Sequence, residues 1–158
     1  MITAKEISLV SDKAKSVKAL VIGDAMLDRY IYGIVERISP EAPVPVLSHQ
    51  HTEIKAGGSA NVALNLAAWG CKTTLIGLTG DDANANVLAS LLEESQINHH
   101  LFRSKLRPTT IKTRVVASSH HLLRIDEESV DYLKDEEEEA AWNHIADFIK
   151  SEKPDLII

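Results

Sequence analysis

Gly58-Ser59-Ala60-Asn61-Val62-Ala63-Leu64-Asn65-Leu66-Ala67-Ala68-Trp69-Gly70-Cys71-Lys72-Thr73-Thr74-Leu75-Ile76-Gly77-Leu78 holds two different periodicities back to back. Val62, Leu64, Leu66 and Trp69, interleaved with alanines, read as a helix from Gly58 to Trp69 that packs closely on a sheet. Gly70 is its stop. Thr73 to Leu78 then reads as a core strand. The same alternation extends in both directions. Val17-Lys18-Ala19-Leu20-Val21-Ile22-Gly23 is a short apolar run suited to a buried parallel strand. Asp82 to Ser95 is a second helix, with Val87, Leu88, Leu91 and Leu92 on its inner face, and His100-Leu101-Phe102 is a third strand. The βαβαβ order predicts an α/β fold, a mostly parallel central sheet flanked by helices. Asp135 to Lys150 adds a further helix whose acidic first turn suits the helix dipole.

Several segments break this pattern. Tyr30-Ile31-Tyr32-Gly33-Ile34-Val35 is β-branched and aromatic, and Val44-Pro45-Val46-Leu47-Ser48 is strand-like with prolines that confine it to an edge. Ile111 to Ala117 and His121 to Ile125 alternate polar and apolar around Ser118-Ser119-His120, the mark of a hairpin. Together these predict a small antiparallel sheet outside the core, with strands near 29–36, 43–50, 111–118 and 121–125.

Composition narrows the function. A net charge of −6 over 158 residues argues against nucleic-acid or anionic-membrane partners, which call for a basic surface. No apolar run reaches membrane-span length, Met1 to Lys18 is too charged for a signal peptide, and Cys71 is the only cysteine. A cytoplasmic location is the simplest expectation. Lys153-Pro154-Asp155-Leu156-Ile157-Ile158 reads as a turn into a buried strand that stops within its apolar run. The expectation is therefore the N-terminal part, residues 1–158, of a longer protein.

Candidate binding residues cluster at two places. In α/β sheets ligands gather at the C-terminal ends of strands, where Gly23-Asp24 is expected to open a loop that also carries Asp28. A carboxylate there accepts hydroxyl hydrogen bonds, or else caps a turn. Gly57 and Gly58 precede a helix start with free N–H donors, and Asn61 both donates and accepts. That set suits a neutral polyhydroxyl ligand.

Gly23-Asp24-Ala25-Met26-Leu27-Asp28-Arg29-Tyr30, Arg37-Ile38-Ser39-Pro40-Glu41-Ala42-Pro43-Val44-Pro45-Val46 and Gly57-Gly58-Ser59-Ala60-Asn61-Val62-Ala63 resemble the ribokinase (PfkB) sugar kinases. Pro108 to Val115 and Leu123-Arg124-Ile125-Asp126 extend the likeness. The proline-rich segment is similar to the heptose 7-phosphate kinase branch, whose kinase is the N-terminal part of a bifunctional kinase/adenylyltransferase. The resemblance implies a ribokinase-like fold with a β-sheet lid. It implies transfer of the ATP γ-phosphate, with Mg²⁺, to the C1 hydroxyl of D-glycero-β-D-manno-heptose 7-phosphate in lipopolysaccharide core synthesis. Another sugar or sugar phosphate is the alternative substrate. For the isolated chain, the alternative is a sugar-binding or dimerising module.

By position, Asp28 matches the family aspartate that grips sugar hydroxyls, and Gly57, Gly58 and Asn61 the second sugar-binding group. Lys112, Arg114 and Arg124, on lid strands, are candidates for the substrate phosphate, or are solvent-facing charges and dimer salt bridges. The lid implies a homodimer. The family's catalytic Gly-Ala-Gly-Asp turn does not occur here, so no catalytic base is expected in this chain. Thr79-Gly80-Asp81-Asp82 is read instead as a helix cap. Adjacent histidines at 99–100 and 120–121 point to opposite faces of their strands and are not expected to bind metal. Cys71 is expected to be a buried, inert thiol, and Trp69 and Trp142 to be packing residues.

Overall fold

The computed structural model describes residues 3–158. In chain order the elements are α1 (Ala4–Ala14), β1 (Lys18–Ile38), β2 (Pro45–Gly58), α2 (Ser59–Ala68), β3 (Lys72–Gly80), α3 (Ala83–Glu94), β4 (Asn98–Ser104), β5 (Ile111–Ala117), β6 (His120–Glu127), α4 (Asp135–Glu152) and β7 (Leu156–Ile157). This is the expected α/β order, with α1 added. The Thr3 side chain and Glu6 form a reciprocal capping box at the start of α1. That Thr-x-x-Glu spacing is the signal from which α1 could have been read.

Two sheets share one strand. In the core sheet the order is β4-β3-β1-β7, all parallel. In the second sheet it is β2-β1-β5-β6. The link is β1 itself, 21 residues long. Residues 18–24 pair with β3. Residues 25–38 pair antiparallel with β2, and 27–33 pair parallel with β5. The loop expected at Gly23-Asp24 is therefore absent. Beyond Asp24 the backbone finds β2 on one side and β5 on the other, so its hydrogen-bonding groups need no turn to satisfy them. The second sheet is correspondingly mixed. Both outer pairings are antiparallel as expected, but the central β1–β5 pairing is parallel. As its prolines require, β2 lies at an edge, bonded only to β1.

Helices cover both faces of the core sheet. On one face Ala60 and Ala63 of α2 and Leu88 and Leu92 of α3 are fully buried against Val21, Leu75 and Leu27. Alanines at the contact let α2 approach closely, as its composition implies. On the other face Ile145, Phe148 and Ile149 of α4 pack on Leu20, Ile76 and Phe102. The α2 helix ends in a Schellman motif, with Gly70 at φ +97° and the Cys71 N–H bonded to Leu66 O at 3.1 Å. The α3 helix ends the same way, with Ile97 N–H on Leu92 O at 2.9 Å, but the left-handed position holds Gln96 at φ +57°. Asp82 caps the start of α3 by accepting from Ala85 N–H at 2.9 Å. Some packing expectations fail. Trp69 and Trp142 are exposed rather than packed, Val62 and Val87 face outward, and Cys71 is only half-buried.

Candidate functional site

The second sheet sorts its residues by face, because cross-strand neighbours share a side. Asp28 lies opposite Lys55 of β2 and Lys112 of β5, Tyr30 opposite Glu53 and Arg114, Lys112 opposite Asp126 and Arg114 opposite Arg124. These residues make one polar face. The other face carries Ile31, Ile54, Val115, Leu123 and Ile125, with Leu27 and Ile111 buried where it meets the core.

Four of the seven expected site residues, Asp28, Lys112, Arg114 and Arg124, thus share one surface. An Arg114 Nη donates to Asp28 Oδ1 and the guanidinium lies 5.3 Å from the Tyr30 ring centre. Lys55 Nζ sits 5.5 Å from the same ring. Lys112 donates to Glu128 at 3.0 Å and to Asp126 at 3.3 Å, and Arg124 Nε lies 2.8 Å from the other Asp126 oxygen. Each expected phosphate-binding cation therefore has a carboxylate partner in the chain. The Asp28 contact holds the Arg114 guanidinium above its usual value, and Glu128, then Asp126, do the same for the Lys112 ammonium. Burial pushes the Asp126 carboxyl up, but hydrogen bonds from Arg124 and Lys112 outweigh it and the net shift is downward. Outward from Asp28 the face continues as a stacked row, with Tyr30 and Tyr32 6.0 Å and Tyr32 and His51 4.7 Å between ring centres.

Gly57 and Gly58 end β2 beside this face. A Cβ on Gly57 would stand 2.5 Å from Asp28 Oδ2, so the missing side chain makes room for the carboxylate. A Cβ on Gly58 would meet Asp24 O at 2.5 Å, and its φ of +59° independently favours glycine. Both glycines thus serve the close approach of β2 to β1, a role the sequence reading gave to a ligand. No side chain caps α2, so the first-turn N–H groups remain available beside Asn61, whose side chain is exposed. Ser59 Oγ ties this helix start to Gly23 O at 3.1 Å.

A cavity of about 650 Å³ opens at the C-terminal end of the core sheet, lined by Asp24, Leu78, Arg107, Tyr132, Trp142 and Ile145 among others. The strand-end position of Asp24 pointed to it; Arg107, Tyr132 and Trp142 carry no local signal. The segment before β5 is rigidly held. Asp82 accepts from Thr109 N–H at 2.8 Å and from Thr109 Oγ1 at 2.7 Å, while Gly80 N–H donates to Thr109 Oγ1 at 3.0 Å. Asp82 is thus a cap and a loop anchor. The His100 ring lies 4.9 Å from the His144 ring centre, tilted by 51°, and burial pushes its pKa down. Among the described residues no three His, Cys, Asp or Glu side chains converge on a cation site, and no helix is long and apolar enough to cross a membrane.

A doubly covered parallel sheet, a second sheet sprung from its first strand, and a carboxylate lodged where the two meet define a sugar-kinase architecture. The chain belongs to the pfkB family of carbohydrate kinases, whose model matches residues 17–154. It is 48% identical over 128 residues to the bifunctional protein HldE of Hyphomonas neptunium, covering 80% of this chain and 26% of that protein. It is 44% identical over 140 residues to the bifunctional protein HldE of Methylobacillus flagellatus, covering 88% and 28%. A carbohydrate kinase from Agrobacterium tumefaciens superposes with a TM-score of 0.57 at 25% identity, over 70% of this chain and 35% of that one. The chain spans about a quarter of the length of the curated relatives it matches.

Proposed function

We propose that these residues form the sugar-binding part of an ATP-dependent kinase that acts on a heptose phosphate, D-glycero-β-D-manno-heptose 7-phosphate. The C1 hydroxyl would give its proton to a base outside this chain as its oxygen attacks the γ-phosphorus of ATP; the bond from that phosphorus to the β-phosphate oxygen would break, and ADP would leave. One observation carries the reading. Asp28 is held at the junction of the two sheets, beside the glycine-led start of α2, where a carboxylate and free N–H groups can share one polyol. Family membership and the bifunctional relatives support it.

In this reading Asp28, Asn61 and the α2 N–H groups grip the sugar hydroxyls. Gly57 and Gly58 let β2 close on β1, which sets the Asp28 carboxylate beside the start of α2. Lys112 and Arg124 exchange a carboxylate partner for the sugar's phosphate. The second sheet covers the site and limits hydrolysis of ATP by water. No residue of this chain is assigned as catalytic base or to Mg²⁺; ATP and its Mg²⁺ are contributed to the site by the rest of a longer kinase domain, with an adenylyltransferase domain to follow. The product, a 1,7-bisphosphate, would serve cytoplasmic assembly of ADP-heptose. The apolar face of the second sheet, with Ile54, Leu123 and Ile125 exposed, favours a homodimer formed through it.

The test is heptose-7-phosphate-dependent ADP release by the complete gene product, with Asp28→Ala and Asn61→Ala beside the wild type. Loss of sugar-dependent turnover with a retained fold is expected for both. Wild-type protein that releases no ADP with this sugar, or with hexose and pentose phosphates, removes the proposal.

A further inference from the structure

Arg114 has a partner that sets it apart from the other cations on the polar face. Lys112 and Arg124 pair with Asp126 and Glu128, carboxylates on β6 and just after it, at the rim. Arg114 instead reaches across the sheet to Asp28, a residue 86 positions away in sequence. Its guanidinium is confined by the Tyr30 ring at 5.3 Å and by a second hydrogen bond to Lys112 O at 3.4 Å. Both side chains of the pair are largely covered, with 19% and 22% exposure. On its other side the carboxylate faces Gly57, where only a hydrogen leaves room for Oδ2.

We infer that Arg114 is a positioning residue for Asp28 rather than a contact for the substrate phosphate. It occupies Oδ1, holds the carboxylate against Gly57, and leaves to a hydroxyl only the side of Oδ2 that Gly57 does not cover. This rests on the sugar-kinase reading and adds a specificity element to it. A carboxylate held by one oxygen selects for a hydroxyl in one direction, whereas a freely rotating one accepts either of two epimeric positions. The planar fork of arginine suits the task, and a lysine ammonium reproduces it only in part.

The test uses the complete gene product as wild type, Arg114→Met, Arg114→Lys, Asp28→Asn and the Arg114→Met/Asp28→Asn double variant. Calorimetry with heptose 7-phosphate gives the sugar affinity, and ADP release gives the KM for ATP. Arg114→Met is expected to weaken sugar binding by about 10-fold to 100-fold, the worth of a hydrogen bond to a charged group. The KM for ATP should not move, and Arg114→Lys should recover part of the loss while melting within a few degrees of wild type. In the Asp28→Asn background Arg114→Met should add less than about 2-fold, because a residue acting through another has nothing left to act on. Additive losses overturn the inference and make Arg114 an independent contact, as a phosphate ligand would be. An Arg114→Met variant with wild-type sugar affinity overturns it as well. Wild-type protein that neither binds the sugar phosphate nor turns over removes the kinase reading itself, an outcome separate from both.

Discussion

Gly57→Ala tests the packing around Asp28 most directly. The added Cβ would lie 2.5 Å from Asp28 Oδ2 and 3.0 Å from Asp28 Cγ and Met26 Cγ. The nearest of these is roughly 1 Å inside the separation at which non-bonded atoms attract, so something must shift. Met26 has a flexible side chain, but Gly57 belongs to a ladder that holds its backbone against β1. The carboxylate therefore gives way and its bond to Arg114 stretches or breaks. Overpacking at such a position costs about 1–3 kcal/mol. The lost ion pair adds less than its buried worth, since both partners retain about a fifth of their surface in solvent. A loss of about 2 kcal/mol in urea unfolding is expected, with a parallel loss of sugar-phosphate affinity. Asp28→Ala removes the obstructing atoms, so Gly57→Ala in that background should cost less than about 1 kcal/mol, a coupling that only contacting residues show. An undiminished cost there, or a Gly57→Ala protein as stable and as tight-binding as wild type, refutes the reasoning.

Three further outcomes follow from features elsewhere in the chain. Gln96→Gly relieves a left-handed residue at the end of α3 and should stabilise by about 0.5–1 kcal/mol in urea unfolding, net of the added freedom of the unfolded chain. Burial pushes the Asp82 carboxyl up, but bonds from Thr109, Ala85 and Asn84 outweigh it and its pKa is depressed. Its stabilisation is therefore fully present above the ordinary aspartate range and fades as pH falls through the lower folded value. Asp82→Asn should lower stability at pH 7 and flatten that acid loss, whereas a wild-type pH profile in the variant would contradict the assignment. Leu123→Asp with Ile125→Asp places two charges on the apolar face of the second sheet; if the proposed homodimer forms through that face, sedimentation should show a dimer for the wild type and a monomer for the variant, with the far-UV spectrum unchanged.

The core was legible because its signals are local. Apolar runs mark β3 and the first part of β1, apolar periodicity marks α2 and α3, Gly70 stops α2, the prolines around Val44 mark an edge, and Asp82 sits where a cap belongs. Residues brought together by distant pairing were less so. Arg114 and Asp28 meet only because β5 lies parallel to β1, a register that no short window encodes. Gly23 and the aspartates at 24 and 28 suggest a loop, since the partners that make this stretch a strand come from 45–58 and 111–117. The glycine pair signals a close approach, but the neighbour at Gly57, the chain's own Asp28 carboxylate, is brought there by strand pairing and is not legible locally. Trp142, Tyr132 and Arg107 meet around one cavity from separate segments, and each alone resembles an ordinary surface residue.

The uninterrupted β1 has a mechanical consequence. With no hinge between the sheets, the second sheet can tilt only by flexing one strand, like a springboard fixed at Asp24. A rotation of about 10° at that point moves Asp28, four residues out, by roughly 2 Å, and Ile38, fourteen residues out, by roughly 8 Å at about 3.3 Å per residue. The far rim can sweep wide enough to admit the proposed ligand while the carboxylate near the anchor moves about a quarter as far.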